Sequence, residues 1–285
     1  MATYSGLTAL FGSGRATFSR PGSALQPDGA GDYQSFGSNV LRRIDGIGTL
    51  LEPAATNLAP DPKSPAEWAL VGATVTPEAG AFLGVFDELV RVTGSATFER
   101  IEARPFSVTQ GVPVFVTLWY AEGTSGQVRL NCRYGTEGAD PSSLLAGPVA
   151  NPSSQTSNAA GTIDQVSVEA VGGAYVARFR WTPGETSSAA NVGIGPFSDA
   201  GEDVIALGAQ VETGRRTSFM PDGSRSADAL TLLPGEGTYD ILLTFDDDST
   251  QGINGVAVTE AGWLVPVSSL NRPTVKTIAG TLTGP

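Results

Sequence analysis

Four arginines stand at alternate positions in two short apolar runs. Arg129 and Arg133 alternate with Val128, Leu130, Cys132 and Tyr134. Arg178 and Arg180 alternate with Tyr175, Ala177, Phe179 and Trp181. Side chains of a strand point to opposite faces in turn, so each pair shares one face. If the two strands are neighbours in one sheet, four guanidiniums line one patch. Guanidinium forks match carboxylates in two-point geometry, and such a patch would suit an anionic or uronic polysaccharide. The plainer reading is a solvated face paired with nearby Asp and Glu. Trp119 and Tyr120 add flat rings that could stack on a sugar. They are adjacent, so one ring points each way and one of the two is a candidate for exposure. Tyr134, Tyr175 and Trp181 read as core by their alternation.

Other reactive groups are few. The chain has no histidine, which removes the commonest general base and transition-metal ligand. With no histidine there is no Ser-His-Asp triad, and no G-x-S-x-G occurs. A single cysteine, Cys132, excludes an internal disulfide and reads as a small core hydrophobe. Asp246, Asp247 and Asp248 resemble a calcium-loop fragment. They lack the alternating spacing and distal Glu of an EF-hand, and a hairpin turn is the simpler reading. No metal and no cofactor is expected. The 29 acidic residues guarantee chance carboxylate pairs, so no glycosidase pair can be picked out.

These residues must be held by strands. The 285 residues include 36 Gly and 19 Pro, yet 40% are hydrophobic, which suits many short strands and tight turns. Period-2 alternation recurs at 85–93, 128–134, 174–181 and 203–211, and 112–120 is apolar on both faces, as a central sandwich strand would be. It predicts Phe86, Val90 and Val92 on one face, and Ile205, Leu207, Ala209 and Val211 pointing inward. The Pro-, Ser- and Gly-rich stretch 138–162 reads as a long loop. No amphipathic helix of three turns is found. The formal charge of −12 argues against nucleic acid, and no apolar run reaches membrane-spanning length, so no membrane insertion is expected. The expected class is an all-β jelly-roll β-sandwich with a small C-terminal β-unit. The expected boundaries are 1–58 for an N-terminal extended or anchoring segment, 59–230 for the sandwich and 231–285 for the small β-domain.

Two separated segments carry a resemblance. The first reads Ala16-Thr-Phe-Ser-Arg-Pro-Gly-Ser-Ala24, then Arg42-Arg-Ile-Asp-Gly-Ile-Gly-Thr-Leu-Leu-Glu52, then Ala55-Thr-Asn-Leu58. The second reads Leu207-Gly-Ala-Gln-Val-Glu-Thr-Gly214, then Thr217-Ser-Phe-Met-Pro221, then Arg225-Ser-Ala-Asp-Ala-Leu230. Together they resemble the frame around a jelly-roll module of phage virion proteins: tail fibres, head spikes and their relatives in gene-transfer agents. Trp68 matches the tryptophan that follows T-N-L in that family. The resemblance covers roughly residues 15–230. It implies a non-enzymatic virion protein, assembled in a bacterial cytoplasm and released by lysis. Its partners would be other virion proteins, further copies of itself in a trimer or five-fold ring, and host surface polysaccharide. Two alternatives stay open: a tail-spike polysaccharide depolymerase, and a purely structural adaptor or decoration protein.

Overall fold

The computed structural model describes residues 2–4, 15–28, 32–44, 47–96, 98–134, 142–146, 152–156, 158–197 and 201–284. The chain divides into two compact units. One comprises Met1–Gln26, Ser35–Ala55 and Arg225–Pro285, and the other Pro27–Gln34 and Thr56–Ser224.

The larger unit is a sandwich of two six-stranded antiparallel sheets. The first sheet has the order Gly161–Val171, Ala174–Pro183, Val114–Ala121, Asp203–Thr213, Leu89–Thr93, Thr74–Glu78. The second has the order Pro152–Thr156, Ser142–Ala146, Val128–Tyr134, Ser187–Pro196, Arg100–Val108, Ala69–Val71. The chain changes sheets between Thr93 and Arg100, between Val108 and Val114, and between Ala121 and Val128. It does so again between Pro183 and Ser187, and between Pro196 and Asp203. These repeated crossings give the jelly-roll character. The alternating apolar residues of both sheets meet in one core, including Val116, Leu118, Phe179, Trp181, Leu130, Cys132, Val192 and Ile194. Each large aliphatic side chain buried there contributes about 1.5–3 kcal/mol.

Trp68, Tyr134 and Trp181 are core residues, with Tyr175 packed against them. Trp68 donates its indole N–H to the Asp61 carbonyl at 2.9 Å, and Trp181 donates to the Ala160 carbonyl at 2.9 Å. Cys132 is fully buried, and that burial pushes its thiol well above the ordinary range. A thiol reagent is therefore expected to leave the native protein unlabelled and to modify one equivalent after unfolding; rapid native labelling would contradict this packing.

Three expectations are corrected here. The stretch 138–162 is not a plain loop: Ser142–Ala146 and Pro152–Thr156 are paired strands at the edge of the second sheet, and Gly161 begins a strand of the first. The inward set on Asp203–Thr213 changes phase. A bulge lies opposite Trp119 and Tyr120, so Val204 and Ala206 enter the core rather than Ile205 and Leu207. Phe86 is outside its expected strand, which begins at Leu89, and though fully buried it packs on Trp119 and Phe219 rather than sharing the inter-sheet core with Val90 and Val92.

The smaller unit corrects the expected boundaries. Its main sheet runs Thr250–Val258, Gly237–Phe245, Thr274–Gly284, Gly48–Leu50, Arg42–Ile44, with Ala2–Tyr4 also paired to Thr274–Gly284. A three-stranded sheet joins Ala16–Ser19, Ala229–Leu232 and Trp263–Leu264. Ala16 and Leu51 share a core with Ile241, Leu243, Phe245 and Val275. The N-terminal segment and the C-terminal β-unit are thus one body. The anchoring-arm reading of 1–14 falls, beyond Ala2–Tyr4, outside the described residues. Asp246–Asp248 form the hairpin turn. Asp246 pairs with Arg272 at 2.7 Å, Asp247 accepts from the Ser249 hydroxyl at 2.6 Å, and Asp248 pairs with Lys276 at 2.5 Å.

Candidate functional site

The four arginines read from the sequence do not converge. Val128–Tyr134 lies in the second sheet and Ala174–Pro183 in the first. Both strands turn their apolar residues into the core between the sheets, so Arg129 and Arg133 sit on one outer face and Arg178 and Arg180 on the opposite one. Arg178 pairs with Glu169 at 2.6 Å, and Arg180 holds Asp164 in a two-point ion pair. The Arg180 fork holds the Asp164 carboxyl below its usual range. These are surface pairs on adjacent strands. Replacing Arg178 and Arg180 with Ala is expected to cost about 0–1 kcal/mol each in thermal or urea unfolding, and a larger loss would mean they do more than face solvent.

Neither aromatic candidate is free to stack. Trp119 is 2% exposed and Tyr120 1%. Tyr120 points into the core and stacks on Tyr175, with centroids 5.4 Å apart. Trp119 points outward but lies beneath Phe219 at 4.6 Å and Phe86 at 5.5 Å, with Tyr33 behind them at 5.9 Å from Phe219. The G-A-Q-x-E segment builds this cover. Gly208 leaves room for Phe86: a Cβ there would stand 2.5 Å from its ring and 2.6 Å from the Pro62 carbonyl. Gln210 donates to Glu212 at 2.7 Å and accepts from the Met220 N–H at 2.8 Å, while Glu212 accepts from Thr217 Oγ1 at 2.6 Å. The loop after Thr213 is thereby folded back onto the sheet and Phe219 is seated on Trp119. Asn57 of T-N-L also ties backbone, donating to Ala209 O at 3.0 Å and accepting from the Val211 N–H at 2.8 Å. The frame residues in this unit are structural.

Arg129 and Arg133 instead belong to a different basic face. On the outer side of the second sheet, Ser187–Pro196 is flanked by Val128–Tyr134 and Arg100–Val108. The register sets Arg129, Gly195 and Arg100 in one row. It sets Asn131, Gly193 and Glu102 in the next, and Arg133 with Asn191 in the third, beside a bulge between Ala103 and Phe106 that carries Arg104. The glycines let Arg100 fold down over the middle strand. A Cβ on Gly195 would stand 2.8 Å from Arg100 Cβ, and one on Gly193 3.1 Å from Arg100 Cδ. Arg100 pairs with the buried Glu102 carboxylate at 2.6 Å and Arg104 reaches it at 3.3 Å, with Arg133 at 4.0 Å. Three guanidiniums thus share the Glu102 carboxylate, and Arg129 lies beside them on the same face. Burial, with Arg133 and Arg104 adding to it, draws the Arg100 guanidinium below the ordinary arginine range against the pull of Glu102.

Arg129 is 9% exposed and makes no ion pair among the described residues. Its guanidinium lies 4.2 Å from the Phe98 ring centroid and 5.3 Å from that of Phe197. Its Nη2 reaches the Phe197 carbonyl only at 3.5 Å, and its Nε is buried with no partner among the described residues. Two residues along the same strand, Asn131 is fully buried, and neither Oδ1 nor Nδ2 has a partner there. Buried polar groups are ordinarily satisfied, so these two residues stand out on one face as unmet and out of reach of solvent. Phe98, at the rim, is 47% exposed and holds a positive φ of 74°, which a bulky residue rarely adopts.

Arg100, Arg104, Asn131 and Phe98 were not named from sequence. Arg100-x-Glu102-x-Arg104 alternates with Ile101 and Ala103 as plainly as the runs that were named. The partnership with Arg129 depends on pairing through a strand some ninety residues later than Arg100. Among the described residues, no group of three or more His, Cys, Asp or Glu is placed to hold a metal. Among the described residues, no helix is long and apolar enough to cross a membrane.

No family model matches the chain, and no curated protein matches it.

Proposed function

We propose that this is a non-enzymatic virion structural and adhesion protein that contacts host surface polysaccharide, as a head spike or tail fibre component of a phage or gene-transfer agent. The virion assignment rests on the frame segments around the sandwich. The contact is supported by one observation above all: a chain of charge −12 gathers four arginines on one sheet face, three of them paired with Glu102. A local basic face on an acidic protein draws anionic ligands. Weak contacts suffice where many copies sit on one particle, and assembly as a homo-oligomer alongside other virion proteins would supply them.

The test is the position of the protein on a particle. An antibody to the full chain is expected to decorate phage or gene-transfer particles in negative stain, at the head surface or the tail. Particles that carry none of the protein overturn the virion assignment. A glycan array probed with the labelled chain then separates an adhesin from an adaptor that binds no sugar.

A further inference from the structure

We propose that the smaller unit binds an apolar carboxylate, its alkyl or aryl group in the cleft between the unit's two sheets and its carboxylate held by Arg15 and the Tyr239 hydroxyl. The site lies in a different body from the basic sheet face, and it does not rest on the adhesion reading.

The two sheets of this unit do not fill the space between them. Tyr239 and Ile241 line the gap from the main sheet, and Leu232 and Trp263 from the three-stranded sheet. The free space is about 360 Å³, counting the open mouth, and nearly all of its lining is apolar. Gly280 keeps the floor bare. A Cβ there would stand 3.3 Å from Ile241 Cδ1 and 3.5 Å from Tyr239 Cδ1. The apolar surface continues along the strand: Leu282 pairs opposite Tyr239 and is 57% exposed. Such walls favour an alkyl chain or an aryl ring and leave the hydroxyls of a sugar nothing to bond.

Arg15 is the one charged residue on the lining. It is exposed and makes no ion pair among the described residues. Its carbonyl accepts from the Leu233 N–H at 2.7 Å, which places it against the 233–235 turn. The Tyr239 hydroxyl reaches the same turn, since a Cβ on Gly235 would stand 3.8 Å from it. That hydroxyl has no hydrogen-bond partner among the described residues. An apolar cleft with one cation and one free donor at its rim is complementary to an apolar group that carries one negative charge. A carboxylate suits the pair: its two coplanar oxygens match a guanidinium fork and can also accept from a hydroxyl.

The cleft contains its own reporter. Of the four tryptophans, Trp68, Trp119 and Trp181 are at most 4% exposed, whereas Trp263 on the cleft wall is half-buried. Acrylamide is therefore expected to quench Trp263 ahead of the others, and Trp263→Phe to remove that accessible emission. An acid seated in the cleft shields the indole.

The experiment titrates the full chain with butanoate, hexanoate, octanoate and phenylacetate, and with the matching uncharged amides, and follows acrylamide quenching and the melting temperature. Saturable protection is expected, stronger for longer chains, with each acid bound about three- to tenfold more tightly than its amide. Arg15→Gln is expected to remove that preference and Tyr239→Phe to reduce it, both leaving amide binding unchanged. Gly280→Ala, which raises the floor, is expected to weaken acids and amides alike by about tenfold. Melting curves without ligand establish that each variant is folded. Should Gly280→Ala fail to fold, the acid–amide comparison with the Arg15 and Tyr239 variants carries the test. A Trp263 already shielded in the free protein overturns the proposal, as does quenching that no compound changes. Acids bound no better than their amides overturn it too, as does an acid preference that survives Arg15→Gln. Unchanged protection in a folded Gly280→Ala protein puts the acid outside the cleft and overturns the site. None of these outcomes bears on the adhesion reading, which the glycan array tests separately.

Discussion

An Asp228→Ala variant is expected to lose about 3–5 kcal/mol of the stability of the smaller unit. Asp228 accepts from Arg20 at 3.1 Å, Arg42 at 2.6 Å, Arg225 at 3.2 Å and the Glu52 N–H at 2.8 Å. Arg42 and Arg225 also pair with Glu52, and the side chains of all five are between 0% and 3% exposed. Three guanidiniums therefore share two carboxylates out of reach of water. Removing Asp228 takes one of the two described carboxylates from this cluster, and the desolvation cost of the guanidiniums is then less well met. Arg20 keeps anchors in the carbonyls of Gly22, Gly37 and Val40, and Arg42 in that of Leu25 and in Glu52. Calorimetry should show the smaller unit melting first. A loss below about 1 kcal/mol, the range of an exposed pair, would mean the network is wetter than its geometry implies.

Trp119→Ala is expected to destabilise the sandwich by about 3–5 kcal/mol while leaving sugar binding intact. The indole sits under Phe86 and Phe219, whose own centroids are 5.0 Å apart. Deleting it opens a cavity that two large rings cannot close without releasing the loop clamped by Gln210 and Glu212. The measurement is urea unfolding followed by array binding at a temperature where the variant remains folded. Loss of binding in a folded Trp119→Ala protein would return the site to the first sheet.

Strand positions and the identity of the core were legible because alternation is local: Leu130, Cys132, Phe179 and Trp181 point inward where their spacing puts them. Failures came where one residue changes the phase or where sequence cannot say which sheet a strand joins. The bulge opposite Trp119 and Tyr120 reversed Ile205 and Leu207. A sandwich has two outer faces, so alternation placed Arg129 and Arg178 outward without revealing that the two faces look opposite ways. The candidate site is a product of non-local register, in which Ser187–Pro196 brings Arg100 and Arg129 side by side. The frame segments were legible as a pattern but not as chemistry. Arg20 meets Asp228 across 208 positions of sequence, and nothing short of the fold reveals that the F-x-R and R-x-A-D pieces neutralise one another.

Glu52 and Asp228 also bring together the two places where the chain leaves and re-enters the smaller unit, with the Asp228 N–H on the Glu52 carbonyl at 2.9 Å. Everything from Thr56 to Ser224 is thus an insertion whose two ends are pinned side by side by the host body. Insertions with close ends are the kind that can be swapped. The sandwich is in this sense an exchangeable cassette, and a chimera can replace it between residues 55 and 225 while the ionic clasp stays with the host. The cassette is in two pieces, however. Pro27–Gln34 belongs to the sandwich, and Tyr33 packs on Phe86 and Phe219. A graft that carries the long insertion without this short excursion leaves that aromatic cluster uncapped.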